Sequence, residues 1–211
     1  QAFELGLRRM AEAGKPVVVL KVGRSEAAAA NAMAHTGAMV GSYRAFAALA
    51  EAYGAILAED YADWLEHLEA FSVGRRPRGP RLVVLSNSGG EAELLADHAA
   101  DAGIPLQPLP ADLAAEIDAA WPFHGVHNPI DFWAVGEADE IVPSCALAAA
   151  RHPDVDGVVI NHDQSLRFTD GEAETARYDT GVAARVVRET GTFCAVVSTA
   201  TADPSDEVLA V

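Results

Sequence analysis

The sequence predicts a parallel α/β protein in two blocks, and three observations carry that expectation. Apolar runs such as Val17–Leu20 and Leu82–Leu85 are strand-sized, far short of the roughly 18–20 residues that cross a bilayer. Helix-length stretches separate them, so the second block reads β-α-β-α-α-β-α-β, the pattern of a parallel sheet with helices on both faces. The stretch Gly74-Arg75-Arg76-Pro77-Arg78-Gly79-Pro80 contains only glycine, proline and arginine. It is expected to be a linker at 74–80, separating a domain at 1–73 from one at 81–211.

The elements follow in order. Phe3–Ala13 is helix-like and is broken by Gly14-Lys15-Pro16; Pro16–Leu20 reads as a buried strand. After a turn at Gly23, the alanine run makes Glu26–Met33 a helix. His35–Ser42 is rich in glycine and is expected to be a loop. Ser42 is a good N-cap for Tyr43–Tyr53. Gly54 ends that helix, Ala55–Leu57 is a short strand, and Asp60 opens a helix to Phe71. In the second block Arg81–Ser86 is a strand and Asn87–Gly90 a tight turn. Glu91–Ala102 is a helix closed by Gly103. Leu106–Leu109 reads as a short edge strand, Pro110–Ala120 as a helix and Trp121–Asp131 as a loop. Asp139 opens a helix to Ala150. Gly157–Asn161, Glu172–Thr190 and Phe193–Ser198 complete the series as strand, helix and strand. A further helix is expected to begin after Asp206.

Charge narrows the function. Lys and Arg number 15 against 31 Asp and Glu, a net charge of −16, and the isoelectric point is 4.6. So acidic a surface repels nucleic acid and anionic membranes. Cys145 and Cys194 stand in no metal or redox spacing, as expected of buried thiols in a reducing cytoplasm.

Two features carry candidate chemistry. Gly89-Gly90 lies between a strand and a helix, where bare backbone and the helix dipole can receive an anion. The G-x-G-x-x-G and P-loop patterns are both absent. The Glu91 carboxylate competes for the same dipole unless it points away. His35 lies among small residues, and a neutral imidazole nitrogen can attack a phosphoryl group to form a phosphoramidate. Weaker candidates are His124, His127 and Asp131 as zinc ligands, and His162-Asp163 at a strand end. No G-x-S-x-G elbow is present. A metal site is not expected.

Lys15-Pro16-Val17-Val18-Val19-Leu20-Lys21, Gly23-Arg24-Ser25, Ala34-His35-Thr36-Gly37-Ala38-Met39 and Gly41-Ser42 together resemble the NDP-forming acyl-CoA synthetases of the succinyl-CoA synthetase superfamily. Ser86-Asn87-Ser88-Gly89-Gly90 and Asn128-Pro129-Ile130-Asp131 resemble that family's strand–glycine turn and its N-P-x-D element. Ser88 and Glu91 depart from its commoner Asn-Ala-Gly-Gly-Pro-Gly form.

The resemblance implies two flavodoxin-like three-layer domains with parallel sheets, the first incomplete and the second truncated at its C-terminus. His35 would be the transiently phosphorylated residue, with Thr36, Gly37 and Ala38 in its loop. Ser88, Gly89 and Gly90 would bind the phosphate. The activity implied is an acid–thiol ligase making acyl-CoA from a small carboxylic acid, CoA and a nucleoside triphosphate, through an acyl phosphate and a phosphohistidine. CoA, ATP or ADP, and Mg2+ are implied for a longer parent. So are a CoA-binding domain, an ATP-grasp domain, a second helix N-terminus and an acidic partner for the histidine, all expected outside these residues. A homo-oligomeric, cytoplasmic parent is expected, and a fragment inactive alone. The alternative is a non-catalytic ligand-sensing domain of a protein acyltransferase fusion, which has no need of His35.

Overall fold

In the computed structural model the chain forms two compact units, Gln1–Arg75 and Arg76–Val211. The structure describes residues 2–36, 41–133, 135, 138–162 and 170–199.

The first unit runs α1 (Ala2–Glu12), β1 (Val18–Leu20), α2 (Glu26–Thr36), α3 (Tyr43–Ala52), β2 (Ile56–Ala58) and α4 (Tyr61–Ser72). Strands β1 and β2 pair in parallel from Val18↔Ile56 to Leu20↔Ala58. The Ser42 hydroxyl accepts the Ala45 N–H at 3.3 Å and starts α3. Asp60 does the same for α4, accepting from Asp63 at 2.9 Å. Side-chain oxygens thus satisfy helix N–H groups that lack an intrahelical partner. The Phe3 ring stacks on Phe46 at 5.1 Å and ties α1 to α3. Helix α2 outruns the expected end at Met33. Alanine favours helix most strongly, and the segment meets no glycine before Gly37. His35 and Thr36 therefore belong to the last turn of a helix, not to the loop expected there. Gly37 and Ala38 lie outside the described residues, as does the helix expected after Asp206.

The second unit runs β3 (Leu82–Ser86), α5 (Gly89–Asp101), α6 (Ala111–Ala120), β4 (Ile130–Asp131), α7 (Ala138–Arg151), β5 (Gly157–Asn161), α8 (Asp170–Thr190) and β6 (Phe193–Val197). All pairs are parallel, in the order β4-β3-β5-β6. The first strand of the unit thus lies between its second and third, the doubly wound order whose switch point opens at the carboxyl ends of β3 and β5. On one face Val83, Leu85, Val158 and Ile160 pack with Leu113 and Ile117 of α6, Ile141, Val142 and Cys145 of α7, and Val182 and Val186 of α8. Val84 alternates to the other face, where α5 packs on β3 and β4.

Two elements differ from expectation. Leu106–Leu109 forms no strand: Pro105, Pro108 and Pro110 bring no N–H to a ladder, and the Gln107 carbonyl instead accepts from Asn128 Nδ2 at 2.8 Å. Ile130–Asp131, expected within a loop, is the strand β4. The Asn128–Pro129 peptide before it is cis.

At the opposite end of the sheet, Arg81 grips Asp156 with Nε at 3.0 Å and Nη2 at 3.1 Å, and Asp154 with Nη1 at 2.6 Å. Arg78 donates its backbone N–H to the Asp156 carbonyl at 3.1 Å. A Cβ at Gly79 would stand 2.6 Å from Asp156 Oδ2, so only glycine lets the chain pass. In α7, Pro143 cannot bond the Asp139 carbonyl, and the Tyr178 hydroxyl donates to it instead.

Candidate functional site

The switch point carries a polar cluster built from three elements. Strand β3 ends at Ser86, and Asn87 leads to Ser88, the N-cap of α5. Gly89 and Gly90, expected in a turn, are the first two helical residues. Their N–H groups have no partner among the described residues. The Glu91 N–H reaches Ser88 Oγ at 3.4 Å, and the Ala92 N–H bonds the Ser88 carbonyl at 2.9 Å. A helix start with two N–H groups unpartnered among the described residues, and with no side chain of its own on either, is suited to an anion.

In a capping box the third-residue Glu returns to the N-cap N–H. Here that N–H is already held by Ser86 Oγ at 3.2 Å, and the same hydroxyl donates to the Ser88 carbonyl at 3.0 Å. Glu91 turns instead to β5, where Oε2 accepts from Asn161 Nδ2 at 2.5 Å. Asn161 pairs in register with Ser86, and its Nδ2 also lies 3.3 Å from Ser86 Oγ. Ser86 and Asn161 are 0% and 1% exposed. Asn161 Oδ1 is buried and has no hydrogen-bond donor among the described residues.

The N-P-x-D element closes the other side. Asn128 Oδ1 accepts the Val84 N–H at 3.0 Å while Nδ2 donates to the Leu82 carbonyl at 2.8 Å. Its amide thereby extends the β3 ladder to the residue before the cis-proline. Asp131 follows on β4, where Oδ1 accepts the Trp133 N–H at 3.0 Å. Its Oδ2 stands 3.0 Å from where a Cβ on Gly89 would sit, whereas a Cβ on Gly90 would meet nothing within 4 Å. Beyond β5, His162 Nδ1 and Asp179 Oδ2 form a buried pair at 3.0 Å.

The structure therefore gathers Ser88, Gly89 and Gly90 at one helix start. His35 and Thr36 end α2 in the other unit. Among the described residues no group of three His, Cys, Asp or Glu side chains is arranged to hold a metal. The loop carrying His124 and His127 is fastened by Asp118, whose Oδ1 accepts from Gly125 at 3.3 Å and Val126 at 3.2 Å. His152 is largely covered and lies 3.2 Å from Asp112. Burial pushes both thiols, Cys145 and Cys194, up to about 12. The sequence marks Asn128 only as part of the N-P-x-D element and gives Asn161 no role beyond ending a strand; their partners lie 46 and 70 residues away. The readable signal was a strand ending in Asn at a doubly wound switch point.

Residues 1–71 match the family model for the succinyl-CoA ligase like flavodoxin domain. The chain is 38% identical over 126 residues to the ADP-forming 4-hydroxybutyrate–CoA ligase of Nitrosopumilus maritimus, covering 59% of this chain and 18% of that protein. It is 33% identical over 173 residues to trans-feruloyl-CoA synthase FCS1 of an unknown prokaryotic organism, covering 81% and 24%. Over 99% of its length it superposes on 43% of the Ca. Korarchaeum cryptofilum dinucleotide forming acetyl-coenzyme A synthetase 1, solved with phosphate and ADP, with a TM-score of 0.80 and 29% identity.

The match to the succinyl-CoA ligase like flavodoxin domain thus falls on the first unit, and a second parallel α/β unit follows it. The homologues of this chain are ADP-forming acetate–CoA and acyl–CoA ligases. The chain spans only 18% to 32% of the length of these curated relatives. No described helix is long and apolar enough to cross a membrane.

Proposed function

We propose that the chain is part of an NDP-forming acid–thiol ligase that makes acyl-CoA from a carboxylic acid, CoA and a nucleoside triphosphate, reversibly. In this reading 1–73 is the C-terminal part of one flavodoxin-like domain, 74–80 a linker, and 81–211 most of a second. CoA, nucleotide and Mg2+ would be held by further domains of a cytoplasmic, oligomeric parent.

His35 is the covalent carrier. A neutral imidazole nitrogen attacks the terminal phosphorus of the nucleoside triphosphate; an N–P bond forms, a P–O bond breaks, and the diphosphate leaves. The carboxylate of the acid then attacks the same phosphorus, forming an acyl phosphate and freeing the imidazole. The CoA thiolate attacks the acyl carbon and expels phosphate. The residues of α5 serve the phosphate: the Gly89 and Gly90 N–H groups and the helix dipole offset its charge, and Ser88 holds the helix start in place. Gly90 leaves the approach open.

The observation that supports this reading most is homology to ADP-forming ligases, joined to a helix start with two N–H groups that have no partner among the described residues and no Cβ on either. The test is acyl-CoA synthesis by the full-length parent. His35→Ala is expected to lower it by several orders of magnitude, because a lost nucleophile has no easy substitute. Undiminished turnover would favour a non-catalytic role.

A further inference from the structure

We infer that the outer face of α4 is a self-association surface, on which a second copy of this chain lays its own α4 antiparallel about a two-fold axis. The inference concerns the first unit and is independent of the ligase reading.

Helix α4 carries two rows of side chains at helical spacing. Trp64, His67 and Phe71 are half-buried and form the inner row. The helix packs on β1 and β2, and Trp64 Nε1 donates to the Val18 carbonyl at 3.4 Å. Tyr61, Leu65 and Leu68 form the outer row at i, i+4 and i+7, and they are 71%, 52% and 40% exposed. Val73, 69% exposed, follows just past the end of the helix. One exposed apolar side chain is ordinary on a protein surface. A row of them along one helix is the seam by which helices pair.

The charges select the occupant. Asp63 and Glu66 stand well round the helix from the outer row, since each residue turns the helix by about 100°, and Asp63 is already paired with His67 Nδ1 at 2.9 Å. The two ends of the row differ in sign. Glu59 and Asp60 precede Tyr61, whereas Arg75 follows Val73, and all three are exposed. A parallel copy would set acid on acid and arginine on arginine. An antiparallel copy brings Leu65 and Leu68 of both chains together at the axis and sets the Glu59 end of each helix against the Arg75 end of the other. The contact is then self-complementary and closed, as a two-fold interface requires. The net charge of −16 opposes association of two copies, so opposite charges at both ends of the seam also decide that it forms at this face.

The experiment is sedimentation equilibrium of this chain across concentrations from about 1 to 200 μM, the range in which a modest helix–helix contact is half-formed. A reversible dimer of the 22.1 kDa chain is expected. Leu65→Glu is expected to raise its dissociation constant by at least about tenfold, because it puts a charge at the centre of the seam. Leu94→Glu, at a leucine of α5 that is 42% exposed, is expected to leave it unchanged. Glu59→Arg and Arg75→Glu are each expected to weaken the dimer, and the two together to restore it. The charge exchange keeps the apolar row intact, so it carries the test even where Leu65→Glu alters folding. A monomer at every concentration overturns the inference, including the case in which a different polypeptide covers the row. A dimer that survives Leu65→Glu unchanged, or one that the paired charge exchange fails to restore, overturns it as well.

Discussion

Asn128 pairs with Val84 as though it were a residue of a neighbouring strand: its Oδ1 accepts the Val84 N–H at 3.0 Å, while its Nδ2 serves the Leu82 and Gln107 carbonyls at 2.8 Å each. One side chain thus satisfies three backbone groups and delivers the chain to β4, which brings Asp131 beside Gly89. Asn128→Ala should destabilise the second unit by about 2–4 kcal/mol, because each unpaired buried group costs about 1–3 kcal/mol and part of that cost is recovered by water. Urea unfolding followed by circular dichroism measures it, and a loss under about 0.5 kcal/mol would show that the amide is dispensable.

The Arg81 grip on Asp156 gives the second unit an acid limb. The Arg81 hydrogen bond holds the Asp156 carboxyl below its ordinary value of 3.8. The folded value is the lower one, so the stabilisation is fully present above the unfolded value and disappears as pH falls through the folded value. Melting temperature should therefore drop on acidification below about pH 4, and less steeply in Asp156→Asn. Parallel pH profiles for the two proteins would contradict the assignment.

Gly90 separates fold from function. It is helical, and a Cβ there meets nothing within 4 Å. Gly90→Ala should leave stability unchanged or raise it by up to about 1 kcal/mol. The added methyl group would fill open space at the helix start, so phosphoryl transfer in the parent should slow by about tenfold or more if the bare backbone is approached there. A variant both stable and fully active would remove the argument that bare backbone is needed at this position.

Both thiols should be unreactive in the folded chain. Cys145 is 1% exposed, and burial raises both Cys145 and Cys194 to about 12, leaving almost no thiolate near neutral pH. A disulfide reagent should modify them only on unfolding. Rapid native labelling of either would contradict the packing around β6 and α7.

Much of this architecture is legible from periodicity and punctuation. Ser42, Asp60, Gly54 and Gly103 mark helix ends as their chemistry requires, and β5 falls where the apolar run lies. What escaped were features made by distant partners. Strand β4 is two residues long and exists because Asn128 has already docked on β3. The prolines around Leu106–Leu109 forbid the ladder that its apolar residues suggest. The helix start at Gly89-Gly90 is visible as a glycine pair. The redirection of Glu91 is not, because it depends on Ser86 occupying the Ser88 N–H and on an asparagine 70 residues onward.

The proposed chemistry stands on phosphate carried by His35. The most direct measurement is to expose the full-length parent to ATP labelled in its terminal phosphate and follow label on the protein. The expected label is lost in acid, retained in base and chased off by ADP, maps to His35 and is absent from His35→Ala. Acid-labile label that persists undiminished in His35→Ala would contradict it.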